Sequence, residues 1–293
     1  MRDHGITLTC GAPSVCTAVL DAAAKWDRAR DGEIPGRGRM RMVVTGAPPP
    51  TSVIERMESE LGWEFIQIYG LTETAPLLTM SRQRAEWDEL SSRERAQRLG
   101  RPGAPALGVC MAVSSDGELL ARGNHVLTDY WRNPEGTVDA IRDGWFHTGD
   151  GGPVDAEGYF SITDRKRDMI ITGGENVSSI EVEDRLLSHP GVKEAAVIGV
   201  PDARWGETVK ALVVLAPGVP ASAETEAALV AFCRQALAHY KCPTSVEMRA
   251  ALERTATGKL QKFKLREPYW VRFSFLSSLD QREQEFQHGL AGE

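Results

Sequence analysis

Cysteine is scarce and dispersed in this chain. The five, Cys10, Cys16, Cys110, Cys233 and Cys242, are odd in number, and none forms a C-x-x-C pair. That distribution suggests neither a disulfide framework nor a zinc site, and a reducing cytoplasm is the expected setting. No dense block of Lys or Arg occurs, and the formal net charge is −7 with a pI near 5.5. This balance argues against nucleic acid or an anionic membrane as the main partner. No run approaches the roughly 18 apolar residues of a membrane span. The opening MRDHGITLTC lacks the charged-then-apolar pattern of a secretory signal, so export is not expected. Internal repeats are absent too. The 42% hydrophobic content over 293 residues is enough for real cores and for one to three domains.

Apolar runs alternate with amphipathic segments along the first part of the chain. A strand at Met42 to Thr45, a helix over Thr51 to Leu61 and a strand FIQIY at Phe65 to Tyr69 predict stacked α/β units. The Arg/Glu-rich stretch Ser81 to Arg98 reads as a solvated helix or hairpin. Between Gly100 and Phe160, short strand-like pieces punctuated by Gly, Pro and Asp predict a small β-rich subdomain with few helices. After Asp168 the pattern returns to strand MIIT, helix Ser178 to Leu187, strands Glu194 to Val200 and Lys210 to Leu215, and an Ala-rich helix Ala223 to Ala238. These form a compact second domain of about a hundred residues.

Four motifs carry chemistry. YGLTET at Tyr69 to Thr74 follows a predicted strand, the place where α/β sheets hold ligands. Tyr69 can stack on a purine, a Thr hydroxyl can donate to a phosphate, and Glu73 can hold Mg²⁺ against phosphate oxygens; an ordinary polar turn is the other reading. Upstream, TGAPPP at Thr45 to Pro50 is a second strand-end turn whose small residues admit a flat ligand, though such turns are common. DGWFHTGD at Asp143 to Asp150 places a carboxylate after Gly in a tight turn. Asp150 is suited to bidentate hydrogen bonding of ribose hydroxyls, or it closes a β-turn. His147 reads as a structural histidine, because no carboxylate or nucleophile is visibly paired with it. TATGKLQKFKLRE at Thr255 to Glu267 supplies Lys259, which can neutralise charge developing at an α-phosphate or is one of three surface lysines. The full G-x-x-x-x-G-K-[ST] phosphate loop is missing around it, so Walker-type binding is rejected.

In this order and at these separations, the motifs resemble the adenylate-forming (AMP-binding) superfamily, in its acyl-CoA synthetase and fatty-acid-CoA ligase branch. The resemblance runs from about Gly5 to Glu267 and includes YFSITDRKRDMIITGGENVSSIEVE (Tyr159 to Glu183) and PDARWGE. It implies an α/β fold: part of a large N-terminal domain, with α/β layers and the β-rich subdomain, over 1–164, a hinge at 165–168, and a compact, mobile α+β C-terminal domain over 169–267. It also implies site residues. Gly46, Ala47 and Pro48 would line an adenine pocket, Tyr69 would stack on adenine, Thr72 would contact phosphate and Glu73 would hold Mg²⁺. Asp150 and Arg165 would bind ribose, and Arg167 would be the hinge residue, where the family usually has Lys or Asp. Lys259 would assist adenylation, and the face with Gly173, Gly174 and Glu175 would guide the pantetheine arm of coenzyme A. The implied reaction joins a small-molecule carboxylic acid to CoA through an acyl-AMP made from ATP.

The same resemblance exposes departures. Family members carry, upstream of this region, a Ser/Thr/Gly-rich loop followed by Lys that grips the β- and γ-phosphates, and these 293 residues hold none. The chain therefore reads as the C-terminal half of a ligase, impaired in adenylation. The missing sheet strands would leave apolar edges, an aggregation hazard. Glu253 stands where Pro usually precedes the lysine loop, and 268–293 matches no known pattern. A non-catalytic adenylate- or CoA-binding module is the alternative. An amino-acid adenylation domain is disfavoured, because such domains more often read GPTE where this chain has Gly70, Leu71, Thr72 and Glu73.

Overall fold

The structure, a computed structural model, describes residues 4–165, 168–255 and 260–271. They divide into two compact units that part between Arg165 and Asp168. The first opens with β1 (Leu8–Gly11), α1 (Pro13–Ala23), α2 (Arg28–Asp31), β2 (Arg41–Val44), α3 (Thr51–Arg56), β3 (Glu64–Tyr69), β4 (Thr79–Arg82), α4 (Ser92–Leu99) and β5 (Ala104–Pro105). These strands form one sheet in the order β1-β2-β3-β4-β5. β1, β2 and β3 run parallel, and β4 and β5 return antiparallel. The parallel pairs follow from the helical crossovers between them, since parallel strands need a connection of a dozen or more residues.

Met42, Val44 and Phe65 meet Leu20 of α1, Ile54 of α3 and Leu99 of α4 in one core. The Arg/Glu-rich stretch is thus not wholly solvated. Trp87, Ala96 and Leu99 are buried while Arg82, Arg84 and Arg93 are exposed, and α4 is fixed at its start by a reciprocal Ser91–Glu94 cap.

The rest of this unit is the β-rich part: β6 (Cys110–Val113), β7 (Glu118–Arg122), α5 (Pro134–Ala140), β8 (Ile141–Arg142), β9 (Trp145–Gly151) and β10 (Asp164–Arg165). They make an antiparallel sheet in the order β10-β9-β7-β6, with β8 also on β9. Its core of Leu119, Ala121, Phe146 and Phe160 takes in Tyr69 from the end of β3, so the two sheets share a residue where they meet.

The second unit holds β11 (Ile170–Thr172), β12 (Glu175–Val177), α6 (Ser179–Leu187), β13 (Val192–Asp202), β14 (Gly206–Leu215), α7 (Ala223–Arg234), β15 (Ser245–Met248) and a helix over 262–271, α8. The sheet order is β12-β11-β14-β13, with β15 parallel to β14. Along β13 the side chains alternate. Ala195 and Val197 join a core with α6 and α7, while Ala196, Ile198 and Val200 join another with Leu265 of α8. Burial on both faces explains why AAVIGV reads as an unbroken apolar run. α8 continues past Glu267: the Tyr269 hydroxyl donates to Glu247 Oε2 at 2.6 Å, and Trp270 Nε1 donates to the Gly199 carbonyl at 3.2 Å.

Candidate active site

Because β1, β2 and β3 are parallel, their C-terminal ends share one edge of the sheet, the position where open α/β sheets bind ligands. β2 leads into an exposed turn of Gly46, Ala47 and Pro48, in which Gly46 has φ +91°. β3 ends at Tyr69. At Gly70 a Cβ would lie 1.5 Å from the Pro76 carbonyl oxygen, so only glycine lets the following loop fold back so tightly. That loop makes a single 3-10 turn, Thr72–Thr74. The buried Thr74 hydroxyl accepts the Leu71 N–H at 2.9 Å and lies 3.0 Å from the Leu71 carbonyl oxygen and 3.1 Å from that of Pro76. With Thr74 turned inward as the staple, Thr72 is exposed and Glu73 half-buried.

The Tyr130 hydroxyl donates to Glu73 Oε1 at 2.9 Å, and the Leu127 N–H donates to the Glu73 carbonyl at 2.7 Å. Burial first, and then the neighbouring Glu73 carboxylate, push the Tyr130 phenol upward, so it stays a donor. Among the described residues no three His, Cys, Asp or Glu gather to hold a metal ion. The donor set at Glu73, one carboxylate fixed through one oxygen, fits the way Mg²⁺ is held by a carboxylate together with substrate phosphates.

Asp150 joins the two sheets. The Tyr69 hydroxyl donates to Asp150 Oδ2 at 2.8 Å, and Arg165 Nε stands 3.6 Å from Oδ1, with Arg165 and Asp150 directly opposed on β10 and β9. Burial, and next the Asp150 charge, drive the Tyr69 phenol far above its ordinary range. The carboxylate is therefore gripped by a neutral donor and a cation.

Asp150 is aimed by an irregularity in the strand. Glu118 pairs with Gly151 and Leu120 with His147, so three residues of β9 stand against one of β7. The Thr148 hydroxyl fills the gap, donating to the Leu119 carbonyl at 2.8 Å and accepting the Asp150 N–H at 3.2 Å. The Gly149 N–H donates to Glu118 Oε1 at 2.9 Å, with Gly149 at φ +73°.

His147 differs from expectation, because a carboxylate is paired with it. Its Nδ1 lies 3.0 Å from Glu118 Oε2, and Arg142 Nη2 lies 2.7 Å from the same nitrogen. Only one of these is a hydrogen bond at a time. A protonated Nδ1 donates to Glu118, and a bare one accepts from Arg142. The residues are 29 positions apart, on β7 and β9, which is why the pairing is invisible in the sequence.

In the second unit, Gly173 and Gly174 form the two-residue turn of the β11–β12 hairpin, with φ +58° and +86°. Two successive positive φ values are what a tight hairpin of this hand requires. The Gly173 N–H donates to the Trp205 carbonyl at 2.9 Å, and a Cβ at Gly173 would meet Trp205 Cε3 at 2.9 Å. The turn carrying Trp205 is held by Asp202, whose Oδ1 accepts the Arg204 and Trp205 N–H groups. Arg167 and Lys259 lie outside the described residues.

Two family descriptions match the chain: "AMP-binding enzyme" over residues 1–131 and "AMP-binding enzyme C-terminal domain" over residues 181–259. Together they take in more than two thirds of it. The chain belongs to the AMP-binding enzyme family. Among its relatives is the 2-methylpropanoate–CoA ligase CCL4 of Humulus lupulus, 40% identical over 91% of this chain and 49% of that protein. Another is the 4-hydroxybutyrate–CoA ligase 2 of Metallosphaera sedula, 39% identical over 89% of this chain and 48% of that protein. The crystal structure of ATP-bound MatB from Rhodopseudomonas palustris superposes with a TM-score of 0.76 at 32% identity, covering 90% of this chain and 51% of that one. The chain thus spans about half the length of the curated relatives it matches.

Within this AMP-binding chain, Gly46, Ala47, Pro48, Tyr69, Thr72 and Glu73 fall in the first matched span, whereas Asp150, Arg165, Gly173 and Gly174 fall between the two. Tyr69, Asp150 and Arg165 are in direct contact. Gly46 to Pro48 and Thr72 with Glu73 sit on neighbouring loops of the same sheet edge, and the two glycines belong to the other unit. The sequence reading missed Glu118, Thr148 and Tyr130. Glu118 left one signal, a carboxylate opening the otherwise apolar run ELLA of a strand; Tyr130, on a loop, left none.

Proposed function

We propose that the chain carries the adenylate- and CoA-handling apparatus of an AMP-forming carboxylic acid–CoA ligase. In the complete reaction a carboxylate oxygen attacks the α-phosphorus of ATP and pyrophosphate leaves; the CoA sulfur then attacks the acyl carbon and AMP leaves. The grip of Tyr69 and Arg165 on Asp150 at the C-terminal edge of a parallel sheet carries this reading. It presents an oriented carboxylate to the two hydroxyls of a ribose, beside a tyrosine ring and the small-residue turn of Gly46, Ala47 and Pro48 that accept the adenine. Thr72 takes the α-phosphate. When bound, Mg²⁺ neutralises phosphate charge, and Glu73, oriented by Tyr130, would hold it. Lys259 stabilises the charge that develops at the α-phosphate, Arg167 is the pivot between the steps, and the side-chain-free turn at Gly173 and Gly174 leads the pantetheine arm.

These 293 residues contain no phosphate-gripping loop, so the first step by this chain alone is slower than the second. The test compares acyl-CoA formation from acid, ATP and CoA with that from preformed acyl-adenylate and CoA, in wild type and Lys259→Ala. The acids begin with short branched and hydroxylated aliphatic ones, the kind named for the two relatives. Product mainly from the preformed adenylate is expected, with Lys259→Ala lowering only the ATP-dependent rate. Equal rates from both sources overturn the impaired first step. Product from neither marks a binding module or an unfolded fragment instead. Asp150→Ala is expected to weaken adenylate binding on the order of tenfold or more, the usual cost of losing hydrogen bonds to a charged group. Undiminished binding refutes the ribose assignment.

A further inference from the structure

We propose that Glu118 is a positioning residue for nucleotide recognition, acting through Gly149 to set the direction of the Asp150 carboxylate. The inference rests on the ribose assignment of Asp150. Glu118 is a buried carboxylate, 5% exposed, with both oxygens engaged on the segment that carries Asp150. Oε1 accepts the Gly149 N–H at 2.9 Å, and Oε2 faces His147 Nδ1 at 3.0 Å, with Arg142 Nη2 3.9 Å away as the compensating cation. Burying a carboxylate is costly unless it is paired and hydrogen-bonded, and here its partners come from β9 and the adjoining Arg142.

The extra residues of β9 cannot close a regular ladder against Leu119. Their backbone needs donors and acceptors from elsewhere. Glu118 accepts the Gly149 N–H and the Thr148 hydroxyl accepts the Asp150 N–H, so side chains meet two consecutive amides where β9 breaks register with β7. Gly149 has the positive φ that turns the chain between them. Without the Glu118 acceptor that N–H loses its partner, and the turn is free to rotate the next side chain away from Tyr69. A one-carboxylate anchor on the neighbouring strand thereby sets an angle that the ligand reads.

The experiment measures dissociation constants of AMP and of 2′,3′-dideoxy-AMP by calorimetry on the whole chain. Wild type is expected to favour AMP by about tenfold or more, and Asp150→Ala to abolish the preference. Glu118→Ala is expected to bring the ratio to within about threefold of unity while leaving dideoxy-AMP affinity within about threefold of wild type. Glu118→Gln, whose amide oxygen still accepts from Gly149, is expected to keep the ratio. Should Glu118→Ala fail to fold by circular dichroism, Glu118→Asp makes the same test, because its carboxylate ends ~1.5 Å short of Gly149. A folded Glu118→Ala or Glu118→Asp with the wild-type ratio overturns the proposal. So does an equal loss of affinity for both nucleotides, which marks a general structural role. A wild-type ratio of one that Asp150→Ala leaves unchanged refutes the ribose assignment itself, and the inference with it.

Discussion

Replacing Tyr69 by Phe removes one oxygen and leaves the ring in its cluster with Leu78, Phe146 and Phe160. The lost group is a hydroxyl donating at 2.8 Å to a carboxylate that is 6% exposed. A hydrogen bond to a charged group contributes about 1.5–3 kcal/mol, against about 1 for a neutral pair. Arg165 remains 3.6 Å from the other oxygen, so the carboxylate is not left alone and the lower end, about 1.5 kcal/mol, applies. Because Asp150 has several partners, the pair is best isolated by a double-mutant cycle of Tyr69→Phe, Asp150→Asn and both together. Urea unfolding followed by tryptophan fluorescence reports mainly on the first unit, which contains Trp26, Trp63, Trp87, Trp131 and Trp145 of the seven tryptophans. The expected coupling is about 1.5 kcal/mol, and Tyr69→Phe alone should lower Tm by about 3–6 °C. A coupling below about 0.3 kcal/mol, the usual additivity error for independent sites, would refute the reasoning.

Two further outcomes concern the second unit. Gly173→Ala should cost about 1–2 kcal/mol from its left-handed backbone alone, and more than Gly174→Ala, because its Cβ presses on Trp205 whereas a Cβ at Gly174 meets nothing within 4 Å; equal Tm losses in the two variants would show that the approach to Trp205 carries no weight. Burial pushes the Glu207 carboxyl above its ordinary range, only partly offset by the Ile171 N–H and Arg266, so the folded unit binds a proton more tightly than the unfolded chain and loses this stability as pH rises. Glu207→Gln, which still offers an oxygen to Ile171, should gain on wild type in thermal unfolding as pH rises from about 4 to 7; a difference independent of pH would exclude the carboxyl as its source.

What was legible in the sequence is local. The strand at β3 with its YGLTET loop, the helix of α6 after its Ser178 cap and the glycine hairpin at Gly173 and Gly174 are each specified within a few residues of chain, by periodicity, cap and turn chemistry. Lengths were less legible. β13 and β14 extend to Asp202 and Gly206, beyond the predicted ends, because Asp202 caps a tight turn that lets the ladder continue. The Ala-rich helix stops at Arg234 rather than Ala238, where Ala236 and Leu237 both turn back to the Cys233 carbonyl. Long-range partners were invisible. The hydrogen bond from Tyr69 to Asp150 spans 81 positions and that from Gly149 to Glu118 spans 31, and neither residue type nor spacing reveals that the strands bearing them meet.

The β13–β14 hairpin, paired from Val192↔Leu215 to Asp202↔Gly206, has a kinetic consequence. Its contacts close across short loops, so they cost little chain entropy and form early, on the microsecond scale of hairpins. β15 joins β14 in parallel only after α7 has been crossed, a much longer loop. By chain-entropy cost alone, the β13–β14 pairing thus ranks ahead of the β14–β15 pairing in the folding of the second unit.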